Sequence, residues 1–338
     1  MTATLTAILT VFLAFIASTA LTHLYIGAAR GHGPVALPNH RSMHKGVVIV
    51  GGGLPLLIST ILLAALFWRL GGAQWAVVAA ATGLALVSYI DDTVTVPARL
   101  RFAAHTAAAL VAVALVPPSA LLLGGVLPFW LDRAVVLLAL VWFINLYNFM
   151  DGIDGIAGVQ TAALAAGYVM VVAVSGGPAP FFGLALALAG AAVGFLFWNW
   201  HPARVFMGDV GSVPLGLLTG AMMMDLAAHH SLAAALILPL YYSADATITL
   251  LTRLMDGEKV WEAHRRHAYQ RAAKSLGSHA VVVRRVAACN VALVGCAVLA
   301  LSRPVMALGL ALVAVGALLA WMEITANREP LRPADRRQ

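Results

Sequence analysis

The stretch AVVLLALVWFINLYNFMDGIDGIAG, residues 134–158, joins an apolar run to two aspartates and three glycines. Its first fourteen residues carry no charged side chain, a composition that is typical of a membrane-spanning helix. Asp151 and Asp154 follow where this run ends. An ionisable group at the end of an apolar helix is costly and indicates a functional site. The stretch therefore predicts a membrane helix that leads into a polar site.

The rest of the chain shares this apolar character. Of its 338 residues, 62% are hydrophobic and 10% are charged, whereas an ordinary soluble domain has about 25% charged residues. A bilayer core needs about 20 apolar residues in a helix, or somewhat fewer where neighbouring helices help. We therefore predict an all-α polytopic integral membrane protein with a single transmembrane domain, residues 1–325. The eleven predicted spans are 4–27, 47–68, 74–90, 100–116, 133–148, 156–174, 180–198, 212–228, 231–252, 284–301 and 304–325.

The basic residues are unequally divided between the two sides of these spans. One side holds 18 of the 21 lysines and arginines, and the other holds only Arg69, Arg133 and Arg303. Because lysine and arginine concentrate in cytoplasmic loops, we predict an external N-terminus and a cytoplasmic tail, residues 326–338. The net charge of +7 then reflects a positive membrane face, so we expect membrane lipids and no nucleic acid as partners. The predicted cytoplasmic loops are about 28–46, 91–101, 148–156, 199–211 and 253–284.

The motif SYIDDTVTVPARLRF, residues 88–102, places two adjacent carboxylates at the end of a span. Neighbouring residues of a helix point about 100° apart, so Asp91 and Asp92 cannot have the same function. One can meet a metal or an acceptor while the other pairs with an arginine such as Arg99 or Arg101. This motif is a candidate site on the predicted cytoplasmic side.

The two aspartates of the opening stretch have two interpretations. If the backbone is helical, Asp151 and Asp154 lie on one face, and Gly152 and Gly155 allow a ligand to approach closely. The alternative is that they cap the helix that begins near Ile156, an ordinary use of aspartate. Beside the other motifs, we favour a binding site.

The motif NWHPARVFMGDVGS, residues 199–212, carries Asp209 between two glycines at the start of a predicted span. A glycine-flanked helix N-terminus favours phosphate. A lone carboxylate beside phosphate favours Mg²⁺, which takes few protein ligands and keeps its waters and phosphate oxygens. Phe206 offers a face on which a flat base can stack. These features predict a nucleotide and magnesium site.

The motif EKVWEAHRRHAYQR, residues 258–271, sets His264 and His267 three positions apart, which predicts that they lie at helical spacing. Two histidines at this spacing can ligate zinc, but no cysteine and no well-placed third ligand accompanies them. We therefore predict an anion-binding cluster. The arginines that surround the histidines are Arg265, Arg266 and Arg271.

In this order on one membrane face, these motifs resemble those of the polyprenyl-phosphate N-acetylhexosamine-1-phosphate transferases, glycosyltransferase family 4. The resemblance extends from PNHRSMHKG to AHRRHAYQR. The AHRRHAYQR motif is similar to that of the branch that initiates O-antigen or a related surface polysaccharide. It implies transfer of a sugar 1-phosphate from a UDP-N-acetylhexosamine to undecaprenyl phosphate in the bacterial cytoplasmic (inner) membrane, with release of UMP. A homodimer is one assembly consistent with this family.

The resemblance also implies roles for individual residues. Asp209, with Asp151, would bind Mg²⁺, with Mn²⁺ as an alternative ion. Asp91 and Asp92 would lie beside the lipid phosphate, one of them as a base. The other predicted substrate-binding residues are Lys45, Asn148, Asp154, Asn199, Phe206, His264, Arg265, Arg266 and His267. The stretch KGVVIVGGG after Lys45 lacks the proline found in many relatives.

Three alternative functions fit the sequence less well. A transporter would use intramembrane acids, here Asp225 and Asp245, as an ion path. However, most acids lie on one face, and no pair of broken helices recurs in two halves. A non-catalytic membrane scaffold would leave the glycine setting of Asp209 unexplained. A phosphotransferase with a CDP-linked donor would carry a different aspartate-rich signature.

Overall fold

The computed structural model describes residues 2–30, 34–36, 47–94, 96–259 and 264–327, without the side chains of Asp92 and Thr93. Helices make up almost all the regular structure of these residues, so the all-α prediction is confirmed. Lys45 and most of the C-terminal tail lie outside the described residues. The helices are α1 (Ala3–Ala29), α2 (Gly53–Phe67), α3 (Gly72–Thr93), α4 (Ala98–Ala114), α5 (Phe129–Phe149), α6 (Ile156–Ser175), α7 (Phe182–Asn199), α8 (Asp209–His229), α9 (Leu232–Ile237), α10 (Leu240–Met255), α11 (Ala268–Leu276), α12 (His279–Leu299) and α13 (Pro304–Ala326).

Eight helices within the described residues are long and apolar enough to cross a membrane. Every predicted span contains a helix, but α2, α4 and α10 have only 15, 17 and 16 residues, so the count of eleven crossings stays a prediction. The predicted span 231–252 is wrong as a single helix. It divides into α9 and α10 at Pro239, because proline lacks the N–H that would continue the helical hydrogen bonds. The eight helices are α1, α3, α5, α6, α7, α8, α12 and α13.

A small sheet was not predicted. The three strands are β1 (Val35–Ala36), β2 (Val48–Val50) and β3 (Val205–Phe206), and they pair in that order. Strand β1 is antiparallel to β2, and β2 is parallel to β3. The predicted span 47–68 is therefore wrong at its start. Four consecutive β-branched residues precede the glycines there, and such residues favour a strand. The pairing of β2 with β3 holds the chain just before Asp209.

Helix α8 lies at the centre of the bundle and packs against α2, α3, α5 and α6. Its N-terminal turn approaches α2 through two glycines. A Cβ atom on Gly53 would lie 2.2 Å from the Cα atom of Gly211, so only glycine permits this contact. The start of α8, where Asp209 lies, is thereby held against α2.

Two acids inside the bundle have fixed partners. Asp245 is buried in α10 and accepts hydrogen bonds from the backbone N–H groups of Ala268 (3.0 Å) and Tyr269 (3.3 Å), so it caps α11. Asp225 accepts a hydrogen bond from the Tyr168 hydroxyl and contacts His229 Nδ1 at 2.9 Å. Each acid therefore stabilises helix contacts, and neither requires an ion path.

We expect Asp245→Ala to lower the free energy of unfolding by about 1–2 kcal/mol, because α11 loses its capping acceptor. Thermal unfolding in detergent measures this change. Asp256→Ala is the matched control, since Asp256 lies at the exposed end of the same helix. Its effect should stay within about 0.5 kcal/mol. Equal unfolding temperatures for the two variants would show that the cap contributes nothing.

The predicted topology can be tested at the two ends of α6. Ser175 ends this helix, while Ser278 immediately precedes His279, which contacts Asp154 beside the other end. In a background without Cys289 and Cys296, a cysteine at position 175 should react with an impermeant thiol reagent in intact cells. A cysteine at position 278 should react only after permeabilisation. The reverse labelling would overturn the assignment of an external N-terminus and a cytoplasmic tail.

Candidate active site

A polar pocket lies where α5 and α7 end and where α6, α8 and α12 begin. Its cavity volume is about 220 Å³. Five separate stretches of the chain meet here, from β2, the end of α5, the end of α7, the start of α8 and the start of α12. The predicted site residues that line it are Asn148, Asp151, Asp154, Asn199, Phe206 and Asp209.

Asp209 is the first residue of α8 and is half-buried. Asn148 at the end of α5 donates a hydrogen bond from Nδ2 to Asp209 Oδ1 at 2.7 Å, and its Nδ2 also lies 2.9 Å from Ser212 Oγ. This amide therefore links two membrane helices and orients the carboxylate. The positive end of the α8 dipole adds a favourable field for a bound anion.

Asp151 lies in the connection between α5 and α6, and no hydrogen bond to its carboxylate is formed by any residue that the structure describes. Burial raises the pKa of Asp151 well above its ordinary value, and the charges of Asp209 and Asp154 raise it further. Three carboxylates thus repel one another in a small volume. Such repulsion is relieved by a proton or by a bound cation.

Asp154 has the opposite environment. His201 Nδ1 lies 2.6 Å from its Oδ2, His279 Nδ1 lies 3.2 Å from its Oδ1, and the Ala203 N–H donates to Oδ2 at 3.2 Å. Burial alone would raise the pKa of Asp154, but these hydrogen bonds outweigh burial and hold the pKa below its usual range. Asp154 is therefore a stably ionised carboxylate.

His201 and His279 were not predicted as site residues. With Asp154 they form a group whose possible ligand atoms lie within 4.8 Å of one another. Two imidazoles and a carboxylate suit zinc better than magnesium, but the 2.6 Å contact has the length of a hydrogen bond. Oxygen ligands for a hard cation come instead from Asp151 and Asp209. The sequence signals that could have identified these two histidines are the His-Pro pair in NWHPAR and the Ser-His pair at the start of α12.

Asn199 and Phe206 form the wall of the pocket beside β3. The Asn199 amide is buried, accepts a hydrogen bond from the Gly155 N–H at 2.9 Å and donates to the Val205 carbonyl at 2.8 Å. Its polar atoms therefore hold the backbone around the pocket. The Phe206 carbonyl accepts from the N–H groups of Gly51 and Gly52, at 3.1 and 2.9 Å.

Asp91 does not line the pocket. Its Oδ2 accepts a hydrogen bond from Arg101 Nη1 at 2.8 Å, and its Oδ1 accepts one from the Val96 N–H at 2.7 Å. This carboxylate therefore fixes the turn between α3 and α4. Asp92 is part of α3, but its side chain is outside the described residues.

The cluster from His264 to His267 also lies away from the pocket lining. The helical spacing predicted for these residues is wrong, because Asp245 caps α11 and the helix begins only at Ala268. The rings of His264 and His267 still lie 4.9 Å apart.

The charges of this cluster are largely compensated. Arg266 pairs with Asp256 at 2.6 Å and also with Glu258. Burial, followed by the nearby His267 and Arg253, lowers the pKa of His264 to about 4, so His264 is neutral near pH 7. The described arrangement therefore leaves little positive charge at Arg266 and His264 for a phosphate. Arg265 also has its own interactions within the protein.

Comparison with known proteins shows a similarity that includes most of this pocket. Residues 74–227 match the sequence model described as glycosyl transferase family 4. A Bacillus subtilis (strain 168) protein named "Probable undecaprenyl-phosphate N-acetylglucosaminyl 1-phosphate transferase" is 25% identical over 256 residues, which cover 71% of this chain and 69% of that protein. A decaprenyl-phosphate N-acetylglucosaminephosphotransferase of Mycolicibacterium smegmatis is 36% identical over 212 residues, or 56% of this chain and 52% of that protein.

A phospho-N-acetylmuramoyl-pentapeptide-transferase of Moorella thermoacetica is 43% identical over 91 residues, or 27% of this chain and 28% of that protein. The chain thus spans about half the length of the second relative and less of the third. The family match includes the pocket residues from Asn148 to Asp209, whereas His279 lies beyond it. The resemblance drawn from the motifs is confirmed, and over residues 74–227 the chain is similar to the members of glycosyl transferase family 4.

Proposed function

We propose that this protein transfers N-acetylhexosamine 1-phosphate from a UDP-sugar to undecaprenyl phosphate, giving undecaprenyl-diphospho-sugar and UMP. The observation that supports this most strongly is the convergence of Asp151 and Asp209 at the ends of apolar helices. The named activities of the relatives support the same reaction class. Residues 1–325 would form one catalytic domain, and the product would start O-antigen or a related envelope polysaccharide.

In the proposed reaction, an oxygen of the lipid phosphate forms a bond to the sugar-bearing phosphorus of the donor. The bond from that phosphorus to the oxygen bridging the diphosphate breaks, and this oxygen leaves on UMP. A phosphate monoester has a second pKa near 6, so the acceptor is mostly dianionic at neutral pH. A general base is therefore not required. Asp92 remains the candidate for that role, since Asp91 is held by Arg101.

The residues of the pocket fit a magnesium ion. The Asp151 carboxylate, which receives no hydrogen bond from the described part of the chain, and the nearby Asp209 offer oxygen ligands. When bound, Mg²⁺ or Mn²⁺ would neutralise charge on the donor diphosphate, and such electrostatic neutralisation dominates phosphoryl transfer. Asn148 would orient Asp209, and Phe206 would contact the base.

The setting of the pocket also suits two substrates of opposite solubility. An apolar cavity of about 240 Å³ runs beside α5, α8 and α9, and it suits part of an isoprenoid chain. The nucleotide donor requires an aqueous approach, which the predicted cytoplasmic side supplies. We therefore propose an enzyme of the bacterial inner membrane with its active site facing the cytoplasm.

Asp209→Asn tests the proposed function. Membranes that contain the wild-type protein should release UMP from a UDP-N-acetylhexosamine when Mg²⁺ and undecaprenyl phosphate are present, and EDTA should stop this release. The variant should lose at least about 100-fold in turnover while remaining folded, because the amide keeps the shape and removes the charge. Asp256→Asn, outside the pocket, is the control and should retain activity. Near-normal turnover of Asp209→Asn at saturating Mg²⁺ would exclude the assignment.

Asp151→Asn tests the cation through stability. Because the pKa of Asp151 is raised, its ionised form destabilises the metal-free fold above that pKa, and the penalty disappears as pH falls through it. In metal-free alkaline buffer the variant should therefore melt at a higher temperature than wild type. This difference should shrink on acidification.

The same variant should gain less thermal stability from added Mg²⁺ than the wild-type protein does, because a ligand has been removed. Thermal melts with and without Mg²⁺ measure both effects. An identical Mg²⁺-induced shift in the two proteins would show that Asp151 is not a metal ligand.

A further inference from the structure

The charges around the pocket are unbalanced. Asp151, Asp154 and Asp209 all line it, whereas His279 is the one lining side chain, among the residues that the structure describes, that can carry a positive charge. A nucleotide diphosphate brings further negative charge. One magnesium ion would not by itself compensate all of these groups, so a hydrogen-bond donor in the lining would help to hold the donor diphosphate.

The His279 ring is held in one orientation. It is 6% exposed and is the first residue of α12. Its Nδ1 lies 3.2 Å from Asp154 Oδ1 and 3.3 Å from the Asp154 N–H. Nδ1 is thus committed to Asp154, and no described residue forms a hydrogen bond with Nε2. Because His279 lines the pocket, Nε2 is the atom left for a ligand.

The contacts of Nδ1 leave Nε2 as the donor of the ring. An imidazole whose Nδ1 accepts the hydrogen bond from the Asp154 N–H carries its proton on Nε2. The Nε2–H group is then available to an anion in the pocket.

We propose that His279 binds a phosphate oxygen of the donor diphosphate through its Nε2–H group, and that Asp154 is the positioning residue that orients the ring. This inference rests on the proposed function for the identity of the donor. It also reassigns Asp154, which the family resemblance placed in direct contact with the nucleotide.

His201 provides the comparison within the chain. It also contacts Asp154, at 2.6 Å through Nδ1, but its side chain is 32% exposed and it does not line the pocket. Loss of His201 removes a partner of Asp154 without removing a donor contact. Comparing variants of His201 and His279 therefore distinguishes a role in supporting Asp154 from a role in binding the donor.

The experiment measures binding of UDP and of uridine to the purified full-length protein with Mg²⁺, by calorimetry. His279→Asn keeps an amide near Nδ1 and leaves nothing near Nε2, so UDP should bind at least about tenfold more weakly. Uridine binding should be unchanged, because uridine has no phosphate. His279→Gln places its amide near Nε2 and should restore part of the UDP affinity. His201→Asn should change UDP affinity by no more than about twofold, although it lowers the melting temperature.

Kinetics give an independent readout. In His279→Asn, kcat/KM for the UDP-sugar should fall at least about tenfold, and His279→Gln should recover part of this loss. Wild-type UDP affinity in His279→Asn would overturn the inference. Equal weakening of UDP and uridine would also overturn it, because that result indicates a purely structural role. If the wild-type protein released no UMP from any UDP-sugar, the proposed function would fail, whereas the UDP and uridine comparison would still decide the role of His279.

Discussion

The hydrogen bond from Asn148 to Asp209 joins the end of α5 to the start of α8, the most deeply buried of the membrane helices. Asp209 can occupy this position only because the start of α8 is held by α5, by α2 and by the small sheet. The glycine contact between Gly53 and Gly211 brings α2 close, and the pairing of β2 with β3 fixes the preceding residues. The location of the carboxylate is therefore a consequence of helix packing. A rigid carboxylate of this kind is what a preorganised electrostatic site needs.

Two acids three residues apart on one connection have different electrostatic environments. Asp154 is surrounded by hydrogen-bond donors, and its pKa lies below the ordinary value, whereas Asp151 faces other carboxylates, and its pKa is raised. The first is suited to hold a cationic side chain, and the second is suited to hold an exchangeable cation. The same pair of residues could have been only a helix cap. The contacts of Asp154 with His201 and His279, and the nearness of Asp209 to Asp151, favour a binding site over a helix cap.

The sequence predicted the membrane helices and most of the pocket because both depend on local composition. Apolar runs identify helices, and acids next to glycines at the ends of those runs identified Asn148, Asp151, Asp154 and Asp209. His279 could not be found in this way, because it comes from a distant segment and gains its role only through contact with Asp154. Helical spacing is predicted for His264 and His267 because they are three positions apart. The Asp245 cap that sets the true start of α11 is a tertiary contact that spacing cannot show.

We infer that the pocket carboxylates are arranged to hold a cation that meets the donor diphosphate. Anomalous diffraction at the manganese absorption edge, from crystals grown with Mn²⁺ and UDP, would locate this cation. We expect a single anomalous peak in the pocket about 2 Å from carboxylate oxygens of Asp209 and Asp151 and in contact with a phosphate oxygen. A peak ligated instead by Asp154, His201 and His279, or bound UDP with no peak beside Asp209, would contradict it.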